Sequence, residues 1–144
     1  MKIIKDILAT KGHEVYTISP DGTVYEALSL MAERNVGALV ILEGETLVGL
    51  ISERDYARKI VLKGRLSKDT PVSEIMTRDP VTVTLDHDLE QCMEVMTNER
   101  VRHLPVLEQG RLIGIISIGD VVKGIIDHKE FIIQEMQKYI KGQH

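Results

Sequence analysis

The sequence predicts a mixed α/β protein of the α+β class, built from two copies of one β-α-β-β-α unit. Three observations support this. Residues 17–60 align without a gap on residues 82–125 at a constant offset of 65, and 13 of the 44 aligned pairs are identical. Within each copy, short apolar runs of strand type are interleaved with stretches of helical period. In each copy two apolar runs flank a tight turn, at Glu43-Gly44-Glu45 and at Gln109-Gly110, which reads as a hairpin. A unit of about 60 residues is marginal as an independent core, so the two copies are expected to share one. The crevice between two like units is a natural place for a ligand.

The elements follow in order. Ile4–Thr10 (IKDILAT) is a short lead-in that resembles Pro71–Thr77 (PVSEIMT). Val15–Ser19 alternates as a strand. Thr23–Arg34 has helical spacing, with Val24, Ala27, Leu28 and Met31 on one face, and Thr23-x-x-Glu26 has the form of a capping box. Ala38–Leu42 and Leu47–Ile51 pair as the hairpin, and Glu53–Leu62 is a second helix ending near Gly64. Lys63–Thr70 is a polar linker. The second copy repeats the order: a strand at Val81–Val83, then a helix capped by Asp88-x-x-Gln91 with Leu89, Cys92, Met93 and Met96 on its buried face. His103–Leu107 and Leu112–Ile116 form the hairpin. A final helix starts near Ile118 and runs, with a break at Gly124, to Lys141.

Composition excludes several classes. Net charge is −4 with the signs mixed, and no basic stripe suits a nucleic acid. Cys92 is the only cysteine, so no disulfide forms within the chain, which fits a reducing compartment. The N-terminal apolar run is too short for a signal peptide and Asp6 interrupts it. No stretch approaches the ~20 apolar residues that span a membrane. The expectation is a cytoplasmic protein with neither nucleic-acid nor membrane partners. His13, His87, His103, His128 and His144 have no ligand spacing for zinc. No Ser, Cys and His follow triad logic, and no Walker-type loop is present. No catalytic residue, metal site or catalytic cofactor is expected, and the protein is not read as an enzyme.

Most identical pairs are apolar and follow from packing. Thr17/Thr82, Ser52/Ser117 and Asp55/Asp120 are polar and fall at strand or helix ends. GLISERD (49–55) over GIISIGD (114–120) places a Ser-x-x-Asp corner at a strand-to-helix turn twice. The simplest reading is a helix-capping box. The alternative uses the same groups. A helix N-terminus and a Ser hydroxyl suit a phosphate, and a carboxylate three residues on can hold both hydroxyls of a ribose. Arg54 and Arg58 lie on the first helix, and Arg102-His103 precedes the second hairpin; arginine suits phosphate oxygens.

The order of elements, VRHLPV (101–106), the duplicated G-h-I-S-x-x-D corner and EIMT (74–77) resemble a stand-alone tandem pair of cystathionine-β-synthase (CBS) domains, a Bateman module, over about residues 4–126. The resemblance implies two CBS repeats packed about a pseudo-two-fold axis: 1–66 with its lead-in, 67–126, and a C-terminal helix over 127–144. It implies a regulatory module that binds AMP, ADP, ATP, an NAD-type dinucleotide or S-adenosylmethionine between the repeats and reports energy or redox state. Carried over by position, Asp55 and Asp120 would hold ribose. Ser52 and Ser117 would lie near phosphate or ribose, and Arg102 and His103 would supply cationic contacts. The adenine would sit near Tyr16–Ile18 with Thr17, Val81–Val83 with Thr82, Ala38 and Pro105, and Ile118 is counted among the nucleotide-binding residues. Bateman modules commonly pair as flat homodimers, and Ile125–Lys141 is a candidate contact. Since Arg102-His103 faces Gly37-Ala38, and Glu53-Arg54 faces Ile118-Gly119 in the alignment, one dominant nucleotide site is expected. The alternative is an interaction or scaffold module whose corners are only helix caps. The regulated partner is not legible.

Overall fold

The computed structural model describes residues 2–141. Met1 and residues 142–144, including His144 at the end of the 127–144 segment, lie outside the described residues. In chain order the elements are α1 (Ile4–Lys11), β1 (Thr17–Ile18), α2 (Val24–Arg34), β2 (Ala38–Glu43), β3 (Thr46–Ser52), α3 (Glu53–Tyr56), β4 (Thr77–Arg78), α4 (Leu89–Glu99), β5 (His103–Glu108), β6 (Arg111–Ser117) and α5 (Ile118–Ile140). They group into two units. One holds Glu14–Val81 with Gln109–Ile113. The other holds the segment ending at His13, Thr82–Glu108 and the chain from Gly114 onward.

The first unit is a four-stranded sheet in the order β1-β2-β3-β4. β1 runs parallel to β2, and the other pairs are antiparallel. Helix α2 lays Val24, Ala27 and Met31 on Leu39 and Ile41 of β2 and Ile51 of β3, and Ile60, Val72, Ile75 and Met76 close the same core. Each fully buried aliphatic contributes about 1.5–3 kcal/mol relative to exposure. This face therefore outweighs any single cap, worth about 1 kcal/mol. The Thr23 hydroxyl accepts the Glu26 N–H at 3.1 Å, and Asn35 ends α2 in the left-handed region at φ 54°.

The second unit is built on helices α1, α4 and α5 around β5 and the Gly114–Ser117 end of β6. Ile4, Leu8, Leu89, Cys92, Met96, Leu104, Val106, Ile116 and Val121 are buried. The predicted cap of α4 forms in both directions: the Gln91 N–H donates to Asp88 Oδ1 at 2.7 Å and the Asp88 N–H to Gln91 Oε1 at 2.9 Å. The α1 segment is tied to this unit by its backbone. The Ile4 N–H donates to His87 O at 2.9 Å, and the Leu89 N–H donates to Lys2 O at 3.2 Å.

Four expectations are corrected. Val81–Val83 is not a strand; it contributes one parallel bridge, Val83 to Val106. Pro105 stands where the first copy has Val40. The Val40 N–H donates to Tyr16 O, and proline has no N–H to make that rung. Glu53–Leu62 is not one α-helix. After α3 the chain widens into a π-helical turn over Ala57–Val61. The two lead-ins do not fold alike: Ile4–Thr10 lies in α1, whereas Pro71–Thr77 makes a 3-10 turn at Val72–Glu74 and enters β4. Finally, α5 does not break at Gly124. That glycine is buried at a close approach, where a Cβ would lie 2.6 Å from Leu89 Cδ1 and 2.8 Å from Ile7 Cδ1.

Candidate functional site

Two corners of the same design occur, one in each unit. In the first, β3 ends at Ser52 in extended conformation and turns directly into α3. The Ser52 hydroxyl accepts the Asp55 N–H at 3.3 Å. Asp55 Oδ2 accepts the Ser52 N–H at 2.9 Å and the Ser52 hydroxyl at 3.1 Å. Asp55 Oδ1 lies 3.2 Å from Lys59 Nζ, and that ammonium also donates to Ile75 O at 2.8 Å. The leading N–H of α3, on Glu53, donates to Gly37 O at 3.1 Å. Both carboxylate oxygens are thus engaged within the corner. α3 runs on in helical geometry into the π turn over Ala57–Val61, a shorter helical run than the 23 residues of α5.

In the second corner, β6 ends at Ser117 and turns into the 23-residue α5. The Ser117 hydroxyl accepts the Asp120 N–H at 3.2 Å. Asp120 Oδ2 accepts the Ser117 N–H at 2.8 Å and an ion-paired bond from Lys11 of α1 at 2.6 Å. The same ammonium donates to Ile115 O at 2.8 Å. The Ile118 N–H donates to Arg102 O at 2.9 Å. These bonds use Oδ2 and leave Asp120 Oδ1 outside them. They also leave the N–H of exposed Gly119 as the remaining donor of the first three in α5.

Electrostatics separate the two groups that flank Lys11. Partial burial pushes the Asp120 carboxyl up, but the Lys11 and Ser117 hydrogen bonds outweigh it and hold the group below the usual carboxylate value. His103, the first residue of β5, is held below its ordinary value chiefly by burial, then by the charge of Lys11; Asp120 opposes this and Arg102 adds to it. The imidazole therefore holds its proton less tightly than a free one.

The structure brings Ser117, Asp120, Ile118 and the backbone of Arg102 into one corner, with His103 in the same electrostatic field. It brings Ser52 and Asp55 into the other. Arg54 is half-buried in α3 and Arg58 is exposed in the π turn, and neither takes part in the corner's hydrogen bonds. Thr17 is exposed in β1, Thr82 is half-buried ahead of Val83, and Pro105 is buried in β5. None of these three enters a corner bond. Two cations were missed. Lys59 was open to discovery as an i,i+4 partner of Asp55. Lys11 was not, because it lies 109 positions from Asp120 and no local pattern connects them. Among the described residues no group of three or more His, Cys, Asp or Glu is placed to hold a metal ion. Nor is any helix of the described residues long and apolar enough to cross a membrane.

Two like units, each opening a helix from a Ser-x-x-Asp corner, define a duplicated α+β fold. The chain belongs to the CBS-domain family: the CBS domain model matches it twice, over residues 4–62 and 72–127. It is 40% identical over 148 residues to the CBS domain-containing protein CBSX3, mitochondrial, of Arabidopsis thaliana, across 96% of this chain and 72% of that protein. The CBS-domain containing protein ATU1752 from Agrobacterium tumefaciens superposes with a TM-score of 0.82 at 40% identity, over 85% of this chain and 98% of that one. The CBS domain pair of protein MJ0100, solved in complex with 5′-methylthioadenosine and S-adenosyl-L-methionine, shares the fold at 24% identity and a TM-score of 0.79, over 89% of this chain and 98% of that one. The chain is thus a tandem CBS pair, a regulatory module.

Proposed function

We propose that the module is non-catalytic and binds an adenosine-containing nucleotide (AMP, ADP, ATP or an NAD-type dinucleotide), with the Ser117–Asp120 corner as its principal contact. Acting in the cytoplasm as a homodimer, it senses energy or redox state by changing shape for a partner protein when the ligand favours one conformation. The observation that carries this reading is the asymmetry of the corners. Asp55 has both oxygens engaged within its own corner. Asp120 keeps Oδ1 outside its corner bonds, at the start of a long helix and beside a lysine. A ribose can take the carboxylate, and a phosphate can take Lys11 and the Gly119 N–H. MJ0100 supports the reading only in that the same fold holds adenosine compounds.

The test is thermal shift followed by calorimetry. A ligand at 100 times its Kd stabilises a binder by about 2.7 kcal/mol. Asp120→Asn, which keeps an acceptor for the Ser117 N–H, is expected to weaken nucleotide binding tenfold or more, while Asp55→Asn leaves it nearly unchanged. Two equal sites per chain, or affinity unmoved by Asp120→Asn, refutes the site assignment. A second reading is favoured by one specific finding. Both corners complete reciprocal capping boxes, which explain Ser and Asp at these positions without any ligand. No stabilisation by AMP, ATP, NAD or S-adenosylmethionine would establish that reading, an interaction module held together by its caps.

A further inference from the structure

The last three turns of α5 are built for contact. Every residue from Lys129 to Lys141 is exposed, although this stretch is rich in large apolar side chains. Ile126, Ile133 and Ile140 recur every seven residues. Met136 falls between the latter two on the same face, and Ile132 and Tyr139 border the stripe. All six are 42–79% exposed. A heptad stripe of this kind is the pattern of a helix-to-helix seam. An exposed run of about 13 residues is also marginal as a helix in water without tertiary support.

We infer that this stripe is the seam of the homodimer, pairing with α5 of a second copy in antiparallel orientation. This rests on the homodimeric reading above and adds the surface and the geometry. Two arguments select a second copy. The six side chains expose roughly 700 Å², close to the about 800 Å² that each partner gives to a standard stable interface. The charges are also self-complementary end to end. Asp127, Lys129 and Glu130 leave the start of the stripe net acidic, while Glu135, Lys138 and Lys141 leave its end net basic. Antiparallel pairing sets acid against base, whereas parallel pairing sets like against like. A lipid surface fits less well, because the polar face is not enriched in lysine and arginine.

Sedimentation equilibrium of the full chain tests the inference. The expected mass is twice the 16.2 kDa of the chain at micromolar concentration. Ile133→Glu with Ile140→Glu is expected to return the monomer mass with the melting point of the body unchanged and with a loss of helical far-ultraviolet signal no larger than the exposed end of α5 accounts for. Met136→Glu is a second, milder variant, expected to raise the dimer dissociation constant at least tenfold. For orientation, chains with Ile126→Cys alone or Ile140→Cys alone should not cross-link, while their mixture should. A monomeric wild type overturns both the homodimer and the seam, and a monomer that co-sediments with vesicles containing phosphatidylserine reassigns the stripe to a membrane surface. A dimer that survives both glutamate variants leaves the homodimer standing and overturns the seam. Cross-linking of Ile126→Cys with itself overturns the antiparallel arrangement.

Discussion

Replacing Lys11 with methionine isolates the ion pair that ties α1 to α5. Methionine keeps most of the apolar stem and removes the ammonium. Two bonds are lost, to Asp120 Oδ2 and to Ile115 O. Charge-assisted hydrogen bonds contribute about 1.5–3 kcal/mol when shielded, and exposed ion pairs about 0–1 kcal/mol. The two side chains are 35% and 25% exposed. The screened value is therefore about 1 kcal/mol at pH 7, or about 3 °C in Tm for a chain of this size. Asp120 is not orphaned, because Ser117 still donates to it.

The sign with pH is fixed by Asp120. Its folded pKa lies below the ordinary 3.8. Its stabilisation is therefore present above that value and fades as pH falls through the lower folded pKa. Urea unfolding of both proteins at about pH 7 and about pH 3 should show a difference that shrinks in acid toward the share of the Ile115 bond alone. At about 1 M salt, where the screening length is about 3 Å, it should shrink at neutral pH as well. His103 supplies an independent readout: with the Lys11 charge gone, its imidazole titration, followed by proton NMR, moves upward. Equal destabilisation at both pH values, with His103 unmoved, would refute the coupling and leave only the packing of the stem.

Other consequences are open to measurement. Arg100 ends α4 at φ 56°, a conformation that costs an L-residue about 1 kcal/mol; Arg100→Gly should raise stability by about 0.5–1 kcal/mol in urea. Cys92 is fully buried, and burial, then the charge of Asp88, pushes its thiol up to about 11. It should react with a thiol reagent at pH 8 only at the rate of unfolding, and full labelling of the native protein within minutes would contradict its placement. Gly124→Ala gains about 1 kcal/mol of helix propensity but forces Leu89 and Ile7 apart, at a cost of about 1–3 kcal/mol. A net loss of about 1 kcal/mol is expected in urea, and a net gain would mean that the α4–α5 approach is looser than described.

The duplication carried most of the fold. Both hairpins, α2 and α4 with their caps at Thr23 and Asp88, and the two Ser-x-x-Asp corners were legible because each is written in a local pattern. What escaped was non-local or subtractive. Pro105 removes a rung from a ladder whose other side lies more than twenty residues earlier, and only the pairing shows which rung. The π turn after α3, which carries buried Ile60 into the core, has no mark in the local apolar spacing. At the site, the corner serines and aspartates were readable by repetition, and Lys59 by its spacing. Lys11 was not, since α1 meets α5 only in three dimensions.

That meeting has a consequence for how the chain acquires its structure. The Lys2 carbonyl accepts from the Leu89 amide and the Ile4 amide donates to the His87 carbonyl, and Lys11 closes on Ile115 and Asp120. α1 is made ahead of all of these partners, which lie in the second half of the chain. Residues 14–81 can pack while the N-terminal turn waits, its apolar Ile4 and Leu8 exposed until the segment that covers them has been made. Such long-range closure slows folding relative to a chain whose neighbours in sequence are neighbours in space. A circular permutant that moves α1 behind α5 should therefore reach its native state faster than the natural order does.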